Sequence, residues 1–144
     1  GNGKYVIYVE KSSNAQKIRV YDIQAHTSIQ VVSNGTALIN PSFFYPSICN
    51  DTSKVAYLSR LITGIGTVNY SIKLYNKATN TTSTIISGAG LSHPHLSADC
   101  KWLTYAQKVD GAFRIKTRNL VTNLEVDSTN PAAPRNHYAP FWQK

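Results

Sequence analysis

Methionine is absent from this 144-residue chain, and cysteine, acidic residues and long apolar runs are scarce. Because position 1 is not methionine either, we expect a mature or excised segment of a longer product. The longest apolar runs, such as Tyr5 to Val9, are far too short to cross a bilayer, so we predict no membrane span. No tract rich in Ala, Leu, Glu and Lys indicates a long helix.

Recognisable catalytic motifs are also missing. The sequence has no Gly-x-Ser-x-Gly elbow, no His-Glu-x-x-His and no phosphate-binding loop. Cys49 and Cys100 lack the spacing of a metal site. We therefore expect a protein that is not an enzyme and that has no cofactor and no metal.

Basic residues outnumber acidic ones, 15 to 7, which gives a net charge of +8. A charge of this size favours an acidic partner, although it also serves simply to keep a β-rich surface soluble. Ser, Thr and Asn are abundant, and this mixture favours strands and turns over helices.

Three segments of the sequence repeat one another. A strand-like run places a tyrosine at Tyr8, Tyr57 and Tyr105, and a second landmark is a proline at Pro46, Pro94 and Pro140. The period between these landmarks is 46 to 49 residues, the length of one four-stranded propeller blade. The sequence thus predicts an all-β fold of three four-stranded antiparallel β-propeller blades, or half a propeller. A helical solenoid would need sustained apolar residues at helical spacing, which are not found.

The repeat sets the expected boundaries within a single propeller segment, 1–144. Residues 1–40 form the second to fourth strands of one blade, 41–90 and 91–130 form two further blades, and 131–144 form a first strand. Leu61 to Asn69 is an insertion in the second unit, and we interpret it as a flexible loop because of Gly64 and Gly66. Cys49 and Cys100 occupy different motif positions in neighbouring units, so we expect free thiols, with a disulfide as the alternative.

Two stretches resemble the repeat of TolB-like (WD-type) β-propellers, Pro-x-Trp-Ser-Pro-Asp-Gly-Lys-x-Ile-Ala-Tyr. They are Pro46 to Tyr57 and Pro94 to Tyr105. Thr52 and Cys100 stand where the repeat has its turn glycine. The resemblance covers essentially the whole chain and implies a propeller in an envelope setting, so we expect a periplasmic or extracellular, secreted protein.

Half a ring implies a completing partner, because propellers usually carry about 4–8 blades. Read from tail to head, Pro140 to Lys144 followed by Gly1 to Tyr8 resembles one uninterrupted repeat. We expect a head-to-tail homodimer that forms a six-bladed ring. The alternative is that a missing second half, in another chain or cut away, completes the ring.

Candidate binding residues cluster at the starts of the predicted innermost strands, where propellers usually hold ligands. They are Tyr45, His93, His95, His137 and Tyr138. Neutral imidazoles and tyrosine rings there could bind a peptide or a sugar, although histidines at such positions also serve purely structural roles.

A second candidate is an anion-binding set of cations on the predicted third strands. Arg19, Lys73 and Lys116 occupy equivalent positions, and Arg114 and Arg118 flank the last of them. The alternative is an ordinary polar outward face. Nucleic acid would require exposed aromatics between cations. Because the recurring tyrosines suit packing between blades better, we expect no nucleic acid.

Together these features predict a non-catalytic protein-interaction module that binds a protein or peptide partner, possibly acidic, at the propeller mouth. Two alternatives stay open: a carbohydrate-binding or sugar-processing propeller, and the gating propeller of a peptidase.

Overall fold

Three antiparallel sheets make up the computed structural model, which describes residues 3–13, 15–34, 41–63 and 66–129. The first sheet contains β1 (Tyr5–Lys11), β2 (Gln16–Asp22) and β3 (Thr27–Ser33). The middle sheet contains β4 (Ser42–Ile48), β5 (Lys54–Thr63), β6 (Thr67–Asn76) and β7 (Thr81–Ser87). The third sheet contains β8 (Leu91–Leu96), β9 (Trp102–Val109), β10 (Ala112–Asn119) and β11 (Glu125–Asp127). The all-β, half-propeller expectation is confirmed.

Each sheet is a meander in which consecutive strands pair, as in a propeller blade. The strands β4 and β8 each start a four-stranded sheet and take the place of innermost strands. The predicted strand at 131–144 lies outside the described residues. No helix in the described parts of the chain has the length and apolarity needed to cross a membrane.

The register aligns the three units. Each recurring tyrosine lies directly opposite a cation on the next strand, as the pairs Tyr8–Arg19, Tyr57–Lys73 and Tyr105–Lys116. The sequence repeat therefore corresponds to a repeat of strand pairing.

The core lies between the sheets, and strand alternation on β5 divides it. Val55 and Tyr57 pack toward the first sheet with Ile18, while Ala56 and Leu58 pack toward the third sheet. Two of the recurring tyrosines occupy these inter-sheet layers, because Tyr57 is 2% exposed and Tyr105 is 0% exposed. These two rings therefore pack between blades, as the sequence analysis predicted.

The insertion in the middle sheet is not a loop. Strands β5 and β6 pair continuously from Lys54–Asn76 out to Thr63–Thr67, so the added residues lengthen a hairpin. Both strands continue because Ile62 and Val68 have high β-propensity and pair across the hairpin. Gly64 lies outside the described residues, and Gly66 occupies the turn with a φ of +85°.

The cysteines are also not free thiols. Cys49 and Cys100 form a disulfide between the middle and third sheets, with their Cα atoms 5.3 Å apart. The prediction of free thiols was wrong because the middle and third sheets are offset from each other. The turn after β4 therefore packs on the turn after β8, which brings the two cysteines together. The Asn50 amide donates to the Ala98 carbonyl (3.0 Å), and the Lys54 ammonium donates to the Cys100 carbonyl (3.3 Å).

The turns that carry the disulfide share one backbone conformation. Thr52 has a φ of 60° and Cys100 a φ of 61°, in the left-handed region that favours glycine. In each turn an aspartate carboxylate accepts an amide hydrogen bond two residues on, Asp51 from Ser53 and Asp99 from Lys101. The conformation explains why the TolB-like repeat has a glycine there.

Candidate functional site

The inner strands β4 and β8 each contain a bulge. Their pairing with β5 and β9 shifts register between Phe44 and Ser47, and between Ser92 and His95. Within the bulges, Tyr45 has a φ of 49° and His93 a φ of 47°, so both lie in the left-handed region. A bulge redirects a side chain out of the sheet's ordinary alternation.

As a result, the two bulged side chains meet across the sheets. The Tyr45 and His93 rings stack with centroids 4.0 Å apart and planes 26° apart. Tyr45 remains 46% exposed, while His93 is half-buried and its Nδ1 contacts the Ser92 hydroxyl. Burial lowers the pKa of His93, so the imidazole facing Tyr45 is neutral near pH 7.

His95 lies further along β8 and is also half-buried. Burial lowers its pKa, so it too is neutral near pH 7. Its backbone carbonyl accepts a hydrogen bond from the Thr104 hydroxyl (3.3 Å). The structure thus places Tyr45, His93 and His95 on neighbouring inner strands, whereas His137 and Tyr138 lie outside the described residues.

Most of the predicted anion-binding cations have acidic partners within their own sheet. Arg19 pairs with Glu10, Arg114 lies 3.7 Å from Asp127, and Lys116 and Arg118 lie 3.6 and 4.0 Å from Glu125. Lys73 forms no ion pair with any described residue and borders a groove beside the extended hairpin. An anion would have to compete with these carboxylates at the third sheet.

Two grooves open at the end of the middle sheet where β4 begins. The first, of about 410 Å³, lies between the middle and third sheets. Its lining residues are Phe44, Tyr45, Leu58, Arg60, Tyr70, Gly90, Leu91, Ser92 and Phe113. The second, of about 550 Å³, lies beside β5, β6 and β7 of the middle sheet and is lined by Ser59, Asn69, Ser71, Lys73 and Ser87, among others.

Apart from Tyr45, sequence reasoning did not single out the residues of the first groove. Arg60 follows Tyr57 by three residues, as Lys11 follows Tyr8 and Lys108 follows Tyr105. This recurring cation was a signal that could have identified the position. The aromatic walls carried no such signal, because Phe44, Tyr70 and Phe113 come from three different strands.

Among the described residues, one cluster of His, Cys, Asp or Glu has metal-binding proximity, formed by Cys49, Asp51 and Cys100. Both of its sulfur atoms belong to the disulfide and are not thiolate ligands. The cluster therefore lacks the donor set of a metal site.

Three meander sheets that bury their cores against one another define part of a β-propeller. Solved structures with this fold include TolB from Acinetobacter baumannii, 23% identical with a TM-score of 0.68, where the match covers 88% of this chain and 31% of that one. Putative TolB from Agrobacterium tumefaciens is 15% identical with a TM-score of 0.66, covering 91% and 44%. The β-propeller domain of the trilobed protease from Pyrococcus furiosus is 15% identical with a TM-score of 0.64, covering 91% and 41%.

This chain therefore spans less than half the length of the propeller proteins it matches. No protein-family model matches the sequence, and no curated protein matches it. The likeness is one of fold.

Proposed function

We propose that the chain is a non-catalytic interaction module, built from diverged TolB-like repeats of the WD type, that binds a protein or peptide at the propeller mouth. The observation that carries the proposal is the stacked Tyr45–His93 pair. It presents an exposed aromatic ring, a hydroxyl and a neutral imidazole at one point between two inner strands. Such groups combine apolar contact with hydrogen bonding and are typical of protein interfaces.

The setting we propose is periplasmic or extracellular. The support comes from the buried disulfide between Cys49 and Cys100. Disulfides of this kind persist in oxidising compartments and are rare in the reducing cytosol. The net charge of +8 supports an acidic partner.

A capture experiment tests whether Tyr45, His93 and His95 bind a protein partner at the propeller mouth. The full chain is immobilised, proteins bound from an envelope extract of the source cell are quantified by mass spectrometry, and a Tyr45→Ala/His93→Ala/His95→Ala variant is compared. We expect at least a tenfold loss of every specific partner. Tyr21 and His26, whose side chains form another contact at 3.3 Å in the first sheet, give a matched Tyr21→Ala/His26→Ala control. Partners retained equally by all three proteins would contradict the proposal.

We further propose that a second copy of the chain completes the ring. The face of β1 that carries Val6 and Tyr8 has no covering sheet among the described residues. Tyr8 is 37% exposed, whereas its equivalents Tyr57 and Tyr105 are 2% and 0% exposed beneath the neighbouring sheet. A further blade on this face would bury Tyr8 as its equivalents are buried, and burial of apolar area favours association.

Light scattering on the purified full chain tests the pairing. We expect a mass of about twice 15.9 kDa, and a shift toward 15.9 kDa for Tyr8→Ser. Ile62→Ser is the matched control, because Ile62 is an exposed apolar residue on the hairpin, away from β1. A wild-type mass of 15.9 kDa at every concentration would exclude a second copy and leave the remainder of a longer polypeptide as the covering part.

Carbohydrate binding is a second candidate, supported by the groove beside the extended hairpin. Its lining includes Asn69, Ser71, Lys73 and Ser87, whose side chains carry amide, hydroxyl and ammonium groups of the kind that hydrogen-bond to sugars. A glycan array would show bound oligosaccharides, and Asn69→Ala/Lys73→Ala would abolish the signal. An array without signal would rule this candidate out.

A further inference from the structure

We infer that the groove between the middle and third sheets binds a carboxylate carried by a peptide segment, with an aromatic or apolar side chain beside it. This inference rests on the proposed function, because the groove lining includes Tyr45, which is one ring of the stacked pair, and Ser92, which contacts the other ring, His93. It adds a second contact point and a chemical requirement on the partner.

Arg60 supplies the charge. Strand alternation on β5 places it on the same face as Ala56 and Leu58, which are buried against the third sheet. The guanidinium therefore lies at the open end of an apolar layer. Its central carbon is 5.0 Å from the centre of the Phe44 ring, a cation–π arrangement that holds the planar group in place.

The guanidinium lacks an acceptor among the described residues. Its Nε is buried and makes no hydrogen bond, and Arg60 takes part in no ion pair there. Among the residues that the structure describes, no carboxylate lines the groove. Because arginine stays protonated and a buried donor without an acceptor is costly, a ligand carboxylate that accepts hydrogen bonds from the guanidinium would offset this cost.

The remaining lining residues determine which ligand side chain can lie beside that carboxylate. Phe44, Leu58, Tyr70, Leu91 and Phe113 form apolar walls around a volume of about 410 Å³. This volume is within the range of small-molecule sites, about 300–1,000 Å³, and accepts a side chain rather than a folded element. One cation among apolar walls suits a singly charged carboxylate better than a dianionic phosphate, which is usually bound by several donors.

Arg60 differs from the cations at the equivalent positions of the other two sheets. Lys11 and Lys108 are both exposed and carry an ammonium group. A solvated ammonium is a compact point charge, whereas a guanidinium stacked on an aromatic ring presents a fixed fork of donors. The groove beside Arg60 combines that fork with aromatic walls.

A nuclear magnetic resonance titration tests the inference with the uniformly ¹⁵N-labelled full chain. The probe is the blocked dipeptide N-acetyl-Phe-Asp-amide, and the readouts are the Arg60 Nε–Hε resonance and the amide resonances of Leu91 and Ser92. We expect saturable shifts at all three, and at least tenfold weaker binding of N-acetyl-Phe-Asn-amide. N-acetyl-Ala-Phe with a free C-terminus distinguishes a main-chain carboxylate from a side-chain carboxylate.

Variants complete the test. Arg60→Gln should abolish the response to the acidic dipeptide, and Arg60→Lys should weaken it. Arg114→Gln is the matched control, because Arg114 already has Asp110 and Asp127 as partners and does not line the groove. Equal responses to the Asp and Asn dipeptides, or an unchanged response in Arg60→Gln, would overturn the inference.

The two proposals fail separately. Should Arg60→Gln capture every partner and bind the dipeptide as the wild type does, the groove inference fails and the mouth is unaffected. Should the dipeptide response depend on Arg60 while His93→Ala/His95→Ala captures every partner, the mouth assignment fails and the groove stands.

Discussion

The carboxylate of Asp51 touches both sulfur atoms of the disulfide, with Oδ1 3.2 Å from Cys49 Sγ and 3.0 Å from Cys100 Sγ. A hydrogen bond from the Ser53 backbone amide is the main cause that lowers the pKa of Asp51, so the carboxylate is ionised at neutral pH. The carboxylate therefore lies against the bond that joins the middle and third sheets.

Removal of the disulfide should destabilise the fold strongly. The crosslink joins residues 51 apart in sequence, and loop-closure entropy for a loop of that size corresponds to about 4 kcal/mol. We expect Cys49→Ser/Cys100→Ser to lower the free energy of unfolding by about that amount in urea denaturation. A reducing agent should destabilise the wild type and leave the double variant unchanged. Equal stability of the two proteins would contradict a structural role for the bond.

Replacement of Thr52, which has a left-handed backbone in the turn, should increase the stability of the fold. A β-branched residue at a φ of 60° costs about 1–2 kcal/mol, of which the greater chain entropy of glycine offsets a part. Thr52→Gly should therefore raise the free energy of unfolding by about 0.5–1 kcal/mol, measured by urea denaturation. Ser53→Gly, at a neighbouring position without a positive φ, should lower it. Destabilisation by both changes would show that the Thr52 side chain contributes more than its backbone costs.

The hydroxyl of Tyr105 donates a hydrogen bond to Glu125, whose carboxylate also pairs with Lys116 and Arg118. Burial raises the pKa of Tyr105, and the hydrogen bond to Glu125 and its negative charge raise it further. The Tyr105 hydroxyl therefore stays protonated and acts as a donor. Tyr105→Phe should cost about 1.5–3 kcal/mol, the value of a hydrogen bond to a charged group. Tyr75→Phe, which loses an exposed bond to Asn80, is the control and should cost far less. Equal losses by thermal denaturation would refute the difference.

Acid should weaken the fold through His93 and His95. Burial lowers both pKa values below the ordinary 6.5, so the unfolded chain binds protons more readily than the folded one. The stabilisation is complete above about pH 6.5 and is lost as pH falls toward the folded values. We expect His93→Gln/His95→Gln to show a smaller loss of stability than wild type between pH 7.5 and 5.5. His26→Gln, an exposed substitution, serves as the control, and a wild-type pH dependence in the double variant would contradict the prediction.

Much of the fold was accessible from the sequence because each blade solves the same packing problem. A tyrosine at one position fills the layer between its own sheet and the preceding sheet, so Tyr57 and Tyr105 recur and are buried. The turn conformation also recurs. Thr52 and Cys100 both have a left-handed backbone, although neither residue is glycine. Because equivalent positions in each blade require similar residues, the blades could be recognised as repeats in the sequence alone.

The features that could not be predicted depend on how neighbouring sheets pack against each other. The disulfide pairs Cys49 with a residue three positions beyond one repeat, and only the stagger of adjacent turns brings the two together. The groove is similar, because Arg60 and Phe113 share it only through the packing of the middle sheet on the third. Sequence reasoning singled out Tyr45 and His93 as candidate binding residues, but their ring stacking depends on bulges that no local sequence pattern predicted.

The covalent link and the Arg60 groove lie at opposite ends of the same pair of sheets. Cys49 and Cys100 follow the last residues of β4 and β8, whereas Phe44 and Leu91 lie near the first residues of those strands. The disulfide fixes the separation of the two sheets at its own end. We therefore expect any widening of the groove on ligand binding to be larger at the Arg60 end than at the disulfide.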